Sequence, residues 1–198
     1  MGYLLAYLLC PEKGVLISDM QSIKEKYEKI VIPEMKKKFG YKNSLAAPRI
    51  IKVSVATGIG SLKDEGKKEI VEKTLAAITG QKPVPNIAKK SIATFKTREG
   101  MVIGHSVTLR GNRMYDFLEK LVNVTIPRIR DFRGLDPKAI DTQGNFSIGF
   151  KEHTVFPETA SDDVRKAFGL GVTIATTAKN KEEAFEFFKL MGFPFKKK

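Results

Sequence analysis

Apolar positions along the chain follow a helical period in some segments and an extended period in others. Apolar residues three and four positions apart predict helices over residues 23–39, over residues 70–79, after Asn112 and after Asn180. Each of the first two is followed directly by a glycine, a residue that commonly ends helices. A proline inside the first should kink or divide it. Asn180 and Glu183 have the spacing of a capping box for the last.

Alternation of apolar and polar residues predicts strands over residues 49–57, 101–109, 146–150 and 171–177. In the first strand, the predicted packed face consists of Ile51, Val53 and Val55. The predicted open face consists of Lys52, Ser54 and Ala56. Helices and strands interleave without the regular βαβ repeat of a parallel sheet. The predicted fold class is therefore α+β, an antiparallel or mixed sheet with helices on one face and a long basic loop.

The basic loop is predicted over residues 81–100, which contain Pro83 and Pro85 and few apolar residues. Its cations are Lys82, Lys89, Lys90, Lys96 and Arg98. Such a composition is typical of an exposed loop or hairpin, and we expect it to become ordered when a partner binds.

Residues 20–198 are predicted to form a single domain, because no linker or internal repeat divides them. Residues 1–19 differ in character, with a short apolar stretch over residues 3–9 before Cys10. No basic residue precedes the stretch, and a large Leu9 stands where an export signal needs a small residue. We interpret residues 1–19 as an extension outside the domain, or as the product of a start codon assigned too early.

The 198 residues carry 35 Lys+Arg and 22 Asp+Glu, a formal net charge of +13. No apolar run is long enough to cross a bilayer, and the single cysteine has no partner for a disulfide or a zinc site. Eleven of the basic residues and only four acids fall between Lys82 and Gly134. This balance favours a polyanion as partner, nucleic acid before an acidic membrane surface.

No pattern of catalytic residues is evident. The segment from Gly60 to Lys68 has five residues between its glycines instead of four, and Lys68 replaces the Ser or Thr of a phosphate-binding loop. His105 and His153 have no second histidine or cysteine at ligand spacing, so we interpret both as packing or surface residues. The sequence predicts no enzyme, metal site or cofactor.

Several motifs in order resemble a known family. They are Ile78-Thr-Gly-Gln-Lys-Pro83, Phe95-Lys-Thr-Arg98, Val107-Thr-Leu-Arg-Gly111, Pro127-Arg-Ile-Arg-Asp-Phe-Arg-Gly-Leu135, Gly144-Asn-Phe-Ser-Ile-Gly149, Phe156-Pro-Glu158 and Phe193-Pro-Phe195. The chain from Met20 onward resembles the bacterial large-subunit ribosomal protein five family, the 5S rRNA-binding proteins of the central protuberance. The resemblance implies a structural, ribosome-bound cytoplasmic protein that binds 5S rRNA through the outer face of its sheet.

Carried over by motif, the resemblance assigns 5S rRNA binding to Gln81, Thr108 and Arg110. Lys52, on the polar face of the first predicted strand, and Arg113, directly after the Val107–Gly111 motif, join them as candidate 5S rRNA-binding residues. It implies that the loop cations Lys82, Lys89, Lys90, Lys96 and Arg98 contact P-site tRNA. It also implies contacts with large-subunit rRNA, with neighbouring central-protuberance proteins and with a small-subunit head protein across an intersubunit bridge, and none with a membrane. Ala56 stands where the family commonly has Asn, and Asn86 where it commonly has a small hydroxyl residue.

Parts of the sequence are compatible with two other classes of function. One is a nucleotide-dependent enzyme that uses the region from Gly58 to Lys68. The other is a membrane-surface protein that combines Leu4–Leu9 with basic residues of the domain. RNA binding accounts for more of the pattern than either.

Overall fold

The computed structural model describes residues 22–60, 65–159 and 167–196. The predicted extension over residues 1–19 and part of the glycine-containing segment after Gly60 therefore lie outside the described residues. The helices are α1 (Ile23–Lys26), α2 (Ile32–Phe39), α3 (Glu65–Thr79), α4 (Asn112–Lys120) and α5 (Lys181–Leu190). Among the described residues, none of these helices is long and apolar enough to span a membrane.

Five strands form one sheet in the described part of the chain. They are β1 (Ile50–Gly58), β2 (Val84–Ile87), β3 (Val102–Leu109), β4 (Phe146–Phe150) and β5 (Leu170–Thr176). Their spatial order is β2-β3-β1-β5-β4, and every neighbouring pair is antiparallel. The α+β class with an antiparallel sheet is thus confirmed.

The sheet has one packed face, because alternate residues of each strand point to opposite sides. On the packed face, Val53, Val107 and Ile174 are almost fully buried. They belong to one apolar core with residues from the helices, including Leu75 of α3 and Leu118 of α4. The other face carries none of these core residues, and its side chains are exposed or half-buried.

The first predicted helix contains a π-helical turn directly before its proline, and its backbone stays helical across that turn. Tyr27–Val31 form a π-helical turn between α1 and α2, in which the Ile32 amide donates to the Tyr27 carbonyl. Pro33 follows in the first turn of α2, where its missing N–H costs least. Gly40 ends α2 in the left-handed conformation, at φ +67°.

The predicted packed face of β1 is wrong at Ile51. A register shift between Ile50 and Lys52 interrupts the pairing of β1 with β5, which leaves Ile50 buried and Ile51 exposed. Such a bulge places two consecutive residues against one partner, so the alternation fails there. Val53 and Val55 are buried as predicted.

Part of the predicted loop is a strand. β2 pairs with β3 at the edge of the sheet, with Val84 opposite Ser106 and Ile87 opposite Val102. Pro85 lies within it, which an edge strand tolerates because one side of its backbone needs no partner.

The predicted capping box at α5 is also wrong. Asn180 is the N-cap residue but makes no side-chain capping bond. Glu183 accepts instead from the Lys179 amide at 2.8 Å and from the Tyr41 hydroxyl. Burial and the bond to Glu183 raise the pKa of Tyr41, so this hydroxyl stays protonated and joins α5 to the segment after α2.

The C-terminal segment fixes the arginine-rich loop that follows α4. The Leu135 amide donates to the Pro194 carbonyl at 2.8 Å, and the Lys196 amide donates to the Leu135 carbonyl at 3.0 Å. Gly134 has φ +98°, and a Cβ there would lie 2.7 Å from the Lys196 nitrogen. Only glycine fits this crossing without a shift of backbone.

Candidate nucleic-acid interface

The face of the sheet opposite the core is what we name the open face. On β1, β3, β4 and β5 its residues include Lys52, Ser54 and Ala56 of β1, Ser106 and Thr108 of β3, Ser147 and Gly149 of β4, and Gly171, Thr173 and Ala175 of β5. Apart from Lys52, all of them are small. A ligand with a rigid backbone can therefore approach the sheet closely over four strands.

A row of hydroxyl groups crosses the open face. Ser54 is the registered partner of Thr108 on one side and of Thr173 on the other, and Thr173 in turn faces Ser147. The Ser147 and Thr173 hydroxyl oxygens lie 3.2 Å apart. Three strand spacings of about 4.8 Å give this hydroxyl row a length of about 14 Å.

Of the hydroxyl row, only Thr108 belongs to the predicted site. The sequence placed Ser54 on the polar side of β1 but gave no reason to join it to Ser147 or Thr173. Alternation within each strand could have indicated that all of them point away from the core. Their alignment depends on the register between strands, and registered partners such as Ser54 and Thr173 are 119 residues apart in the chain.

Lys52 and Arg110 lie at one end of the open face. Leu109 is the registered partner of Val53, so Arg110 and Lys52 follow directly beyond the last registered pair of β1 and β3. Both side chains are exposed, and neither forms a salt bridge with a described residue. Two uncompensated cations therefore border the hydroxyl row.

Gln81 lies near the same end of the open face, in the turn after α3. Gly80 ends α3 at φ +67°, and the Thr79 hydroxyl interacts with the carbonyls of Leu75 and Gln81. Gln81 is half-buried and Lys82 is exposed just before β2 begins at Val84. Thr108, on the neighbouring β3, lies two residues beyond the partner of Val84.

Arg113 lies outside the open face, beside the turn at Gly80 that leads to Gln81. It belongs to the first turn of α4, on the helix layer, and is exposed. It lines a groove of about 400 Å³ with Gly80, Asp116 and Lys120, between α4 and the end of α3. The Lys120 ammonium donates to the Ile78 carbonyl near the end of α3 and to the Glu158 carboxylate, both at 2.6 Å. Lys120 therefore joins α4 to the end of α3 along the groove.

The chain between β2 and β3 is a hydrogen-bonded hairpin over residues 88–101. At its base, the Ala88 amide donates to the Met101 carbonyl, and the Gly100 amide donates to the Ala88 carbonyl. Near its end, Ile92 and Thr97 exchange two backbone bonds of 3.1 and 3.2 Å. These bonds involve backbone atoms, so counting apolar residues in the sequence could not reveal them.

The loop cations surround this hairpin. Lys82, Lys89, Lys90, Lys96 and Arg98 are all exposed, and none forms a salt bridge with a described residue. Glu99 is the acid among them, and its backbone amide donates to the Ser91 hydroxyl at 2.9 Å. The positive potential of the hairpin is thus left largely open to a ligand.

Both histidines have packing positions, as predicted. His105 is buried on the packed face opposite Thr57. The His153 ring stacks on Phe168 at 4.1 Å between centroids, and its Nδ1 accepts from the Phe168 amide at 3.3 Å. Within the described ranges, no group of three His, Cys, Asp or Glu could hold a metal ion.

This fold defines a basic α+β protein in which the described residues leave one face of the sheet uncovered. The family model described as "Ribosomal protein L5" matches residues 43–98, and the one described as "ribosomal L5P family C-terminus" matches residues 102–195. The chain belongs to the ribosomal protein L5 family. It is a structural constituent of the large ribosomal subunit, acts in translation with rRNA and other ribosome components, and is not an enzyme.

Bacterial relatives share about half of their residues with this chain. "Large ribosomal subunit protein uL5" of Halothermothrix orenii is 54% identical over 177 residues, which cover 89% of this chain and 99% of the relative. The proteins of the same description from Kosmotoga olearia and Dictyoglomus turgidum are each 50% identical, over 90% of this chain and 98% and 100% of the relatives. The resemblance found in the sequence is therefore confirmed, and the protein is ribosome-bound in the cytoplasm.

Proposed function

We propose that the protein binds 5S rRNA through the open face and helps to attach it to the large subunit in the central protuberance. The observation that carries the proposal is the hydroxyl row in register across four strands, bordered by Lys52 and Arg110. Polar groups at fixed spacing on an uncovered sheet offer a rigid surface to a structured RNA.

The two kinds of group on the open face suit two features of RNA. Exposed cations such as Arg110 attract phosphates and release counterions, which gives affinity that falls with salt. Hydroxyl groups such as Thr108 and Thr173 can both donate to and accept from ribose 2′-hydroxyls. An A-form helix displays those 2′-hydroxyls across a wide, shallow minor groove, and a surface of small side chains can approach them.

Ala56 is proposed to be compensated by Asn86. Ala56 is the registered partner of Ser106, whose hydroxyl donates to the Asn86 side-chain oxygen at 3.0 Å. With the amide oxygen bonded to Ser106, the amide nitrogen makes no hydrogen bond to a described residue and can donate to RNA. The amide group expected from β1 would thus be presented from the neighbouring edge of the sheet.

The proposal assigns the hairpin over residues 88–101 to P-site tRNA. Its cations Lys89, Lys90, Lys96 and Arg98, with Lys82 before β2, are exposed and uncompensated by described residues. Arg113 is included in the 5S rRNA-binding site, although it would reach RNA from the helix layer. Neighbouring central-protuberance proteins and a small-subunit head protein at an intersubunit bridge complete the proposed partners.

Two measurements test the two parts separately: binding of purified chain to 5S rRNA, and tRNA retention by ribosomes reconstituted with the chain. We expect Thr108→Val to weaken 5S rRNA binding while leaving tRNA retention by reconstituted ribosomes unchanged. We expect the pair Lys89→Ala and Lys90→Ala to do the reverse. If the first change has no effect on 5S rRNA affinity, the open face is not the binding surface. If the second has no effect on tRNA retention, the hairpin does not contact tRNA.

A further inference from the structure

The hairpin ends in an exposed aromatic ring. Its turn spans residues 93–96, closed by a bond from the Lys96 amide to the Ala93 carbonyl at 3.0 Å. Lys96 adopts φ +53°, a left-handed conformation that is uncommon outside glycine. Phe95 stands at the tip, with 72% of its surface exposed.

Nothing in the described structure requires a phenylalanine at this position for folding. Phe95 makes no ring contact with another described aromatic residue and does not pack on the core cluster. The turn is held by backbone bonds that any side chain at the tip would allow. A single exposed apolar residue is common on protein surfaces, so the surroundings of the ring decide its meaning.

Those surroundings are cationic. Lys96 follows the ring directly, and Arg98, Lys90 and Lys89 line the two arms of the hairpin without salt bridges to described residues. A protein partner with an apolar pocket would gain little from four free cations. An RNA would use both features, because phosphates attract the cations and every base has a face on which an aromatic ring can stack.

We propose that Phe95 is a base-stacking residue, whose ligand is an unpaired or helix-terminal nucleobase of the tRNA that the hairpin contacts. The inference rests on the proposed tRNA contact and assigns it a chemical mode. The preformed turn holds the ring out in advance, so little conformational entropy is lost when the base arrives. Stacking selects an exposed base and not a sequence, as a protein that meets every tRNA requires.

The test uses ribosomes reconstituted with variant chains and measures the dissociation rate of P-site tRNA by filter retention. Phe95→Leu keeps an apolar side chain but removes the π face, and Phe95→Tyr restores it. Leu45→Ala is the matched control, because Leu45 is 86% exposed and lies outside the hairpin, in the turn Ser44–Ala46. We expect Phe95→Leu to speed dissociation by about five- to a hundredfold, the loss of one stack, with Phe95→Tyr and Leu45→Ala near wild type.

Each other result overturns the stacking mode or the contact itself. If Phe95→Leu behaves like Leu45→Ala while Lys89→Ala with Lys90→Ala speeds dissociation, stacking is refuted and the hairpin contact stands. If none of these variants changes the dissociation rate, both the stacking mode and the contact between the hairpin and tRNA are refuted.

A spectroscopic measurement reports stacking without relying on a loss of binding. The chain contains no tryptophan, so Phe95→Trp introduces a single indole. Purified Phe95→Trp should lose fluorescence as tRNA is added at low salt, whereas Leu45→Trp should not. Equal quenching of the two would refute the proposal.

Discussion

Replacing Arg110 by glutamine should change how 5S rRNA binding depends on salt. Arg110 is exposed at the end of β3 beside Lys52, and no described acid neutralises it. Its charge is therefore available in full to a phosphate. Glutamine keeps much of the length of the side chain and its ability to donate, but removes the charge.

The size of the change follows from counterion release. One phosphate contact contributes about 0.7 to 0.9 to the slope of log affinity against log salt concentration. A fourfold rise in salt, from about 50 to about 200 mM, should then shrink the affinity difference between wild type and Arg110→Gln by about threefold. The variant is weaker throughout and is closest to wild type at high salt.

Filter binding of labelled 5S rRNA over a series of salt concentrations measures both slopes. Arg128→Gln is the matched control, because Arg128 is also exposed but follows α4 in the helix layer. It should keep the wild-type slope. Identical slopes for wild type and Arg110→Gln, or an equal decrease in the control, would show that Arg110 does not contact phosphate through the open face.

Three further changes probe other parts of the structure. Gly134→Ala should destabilise the fold by on the order of 2 kcal/mol and lower Tm by about 4–8 °C in thermal unfolding, because φ +98° is strained for alanine. Gly149→Ala is the control and should leave Tm unchanged, because a Cβ added at Gly149 would meet open space. Thr173→Val, which deletes one hydroxyl of the row, should weaken 5S rRNA binding several-fold in the same filter assay without changing the salt slope, and an altered slope would contradict a hydroxyl contact. Partial burial tends to raise the pKa of Asp141, but hydrogen bonds from Asn145 outweigh it and hold that pKa below its usual range. The ionised Asp141 carboxylate therefore stabilises the fold above about pH 4, and this stabilisation is lost as the pH falls through the lowered pKa. In chemical denaturation, Asp141→Asn should be less stable than wild type by under about 1 kcal/mol at neutral pH. In strong acid the two proteins should be equally stable.

Local signals in the sequence predicted most of the elements. Gly40 ends α2 and Pro33 follows a π turn because both effects act within one turn of helix. The capping box failed for a non-local reason: Tyr41, about 140 residues away, holds the Glu183 carboxylate in another position. The prediction that Ile51 lies on the packed face failed because the bulge that exposes this residue arises in the pairing of β1 with β5.

The candidate site was predictable in its charges and less so in its geometry. Thr108 lies on β3 and Arg110 directly follows that strand, so their motif places both at the interface. Ser147 and Thr173 join them only through the register of four strands. The sequence predicts a loop or hairpin where β2 lies, because Pro85 and exposed residues hide an edge strand. The position of Asn86 on the sheet therefore cannot be recognised from the sequence.

The central claim is that the open face recognises 5S rRNA specifically. Purified chain should be titrated, at physiological salt, against 5S rRNA and against an unrelated structured RNA of equal length. We expect clearly tighter binding to 5S rRNA, with the preference reduced by Thr108→Val. Equal affinity for the two RNAs would contradict it, because free cations alone would then explain the binding.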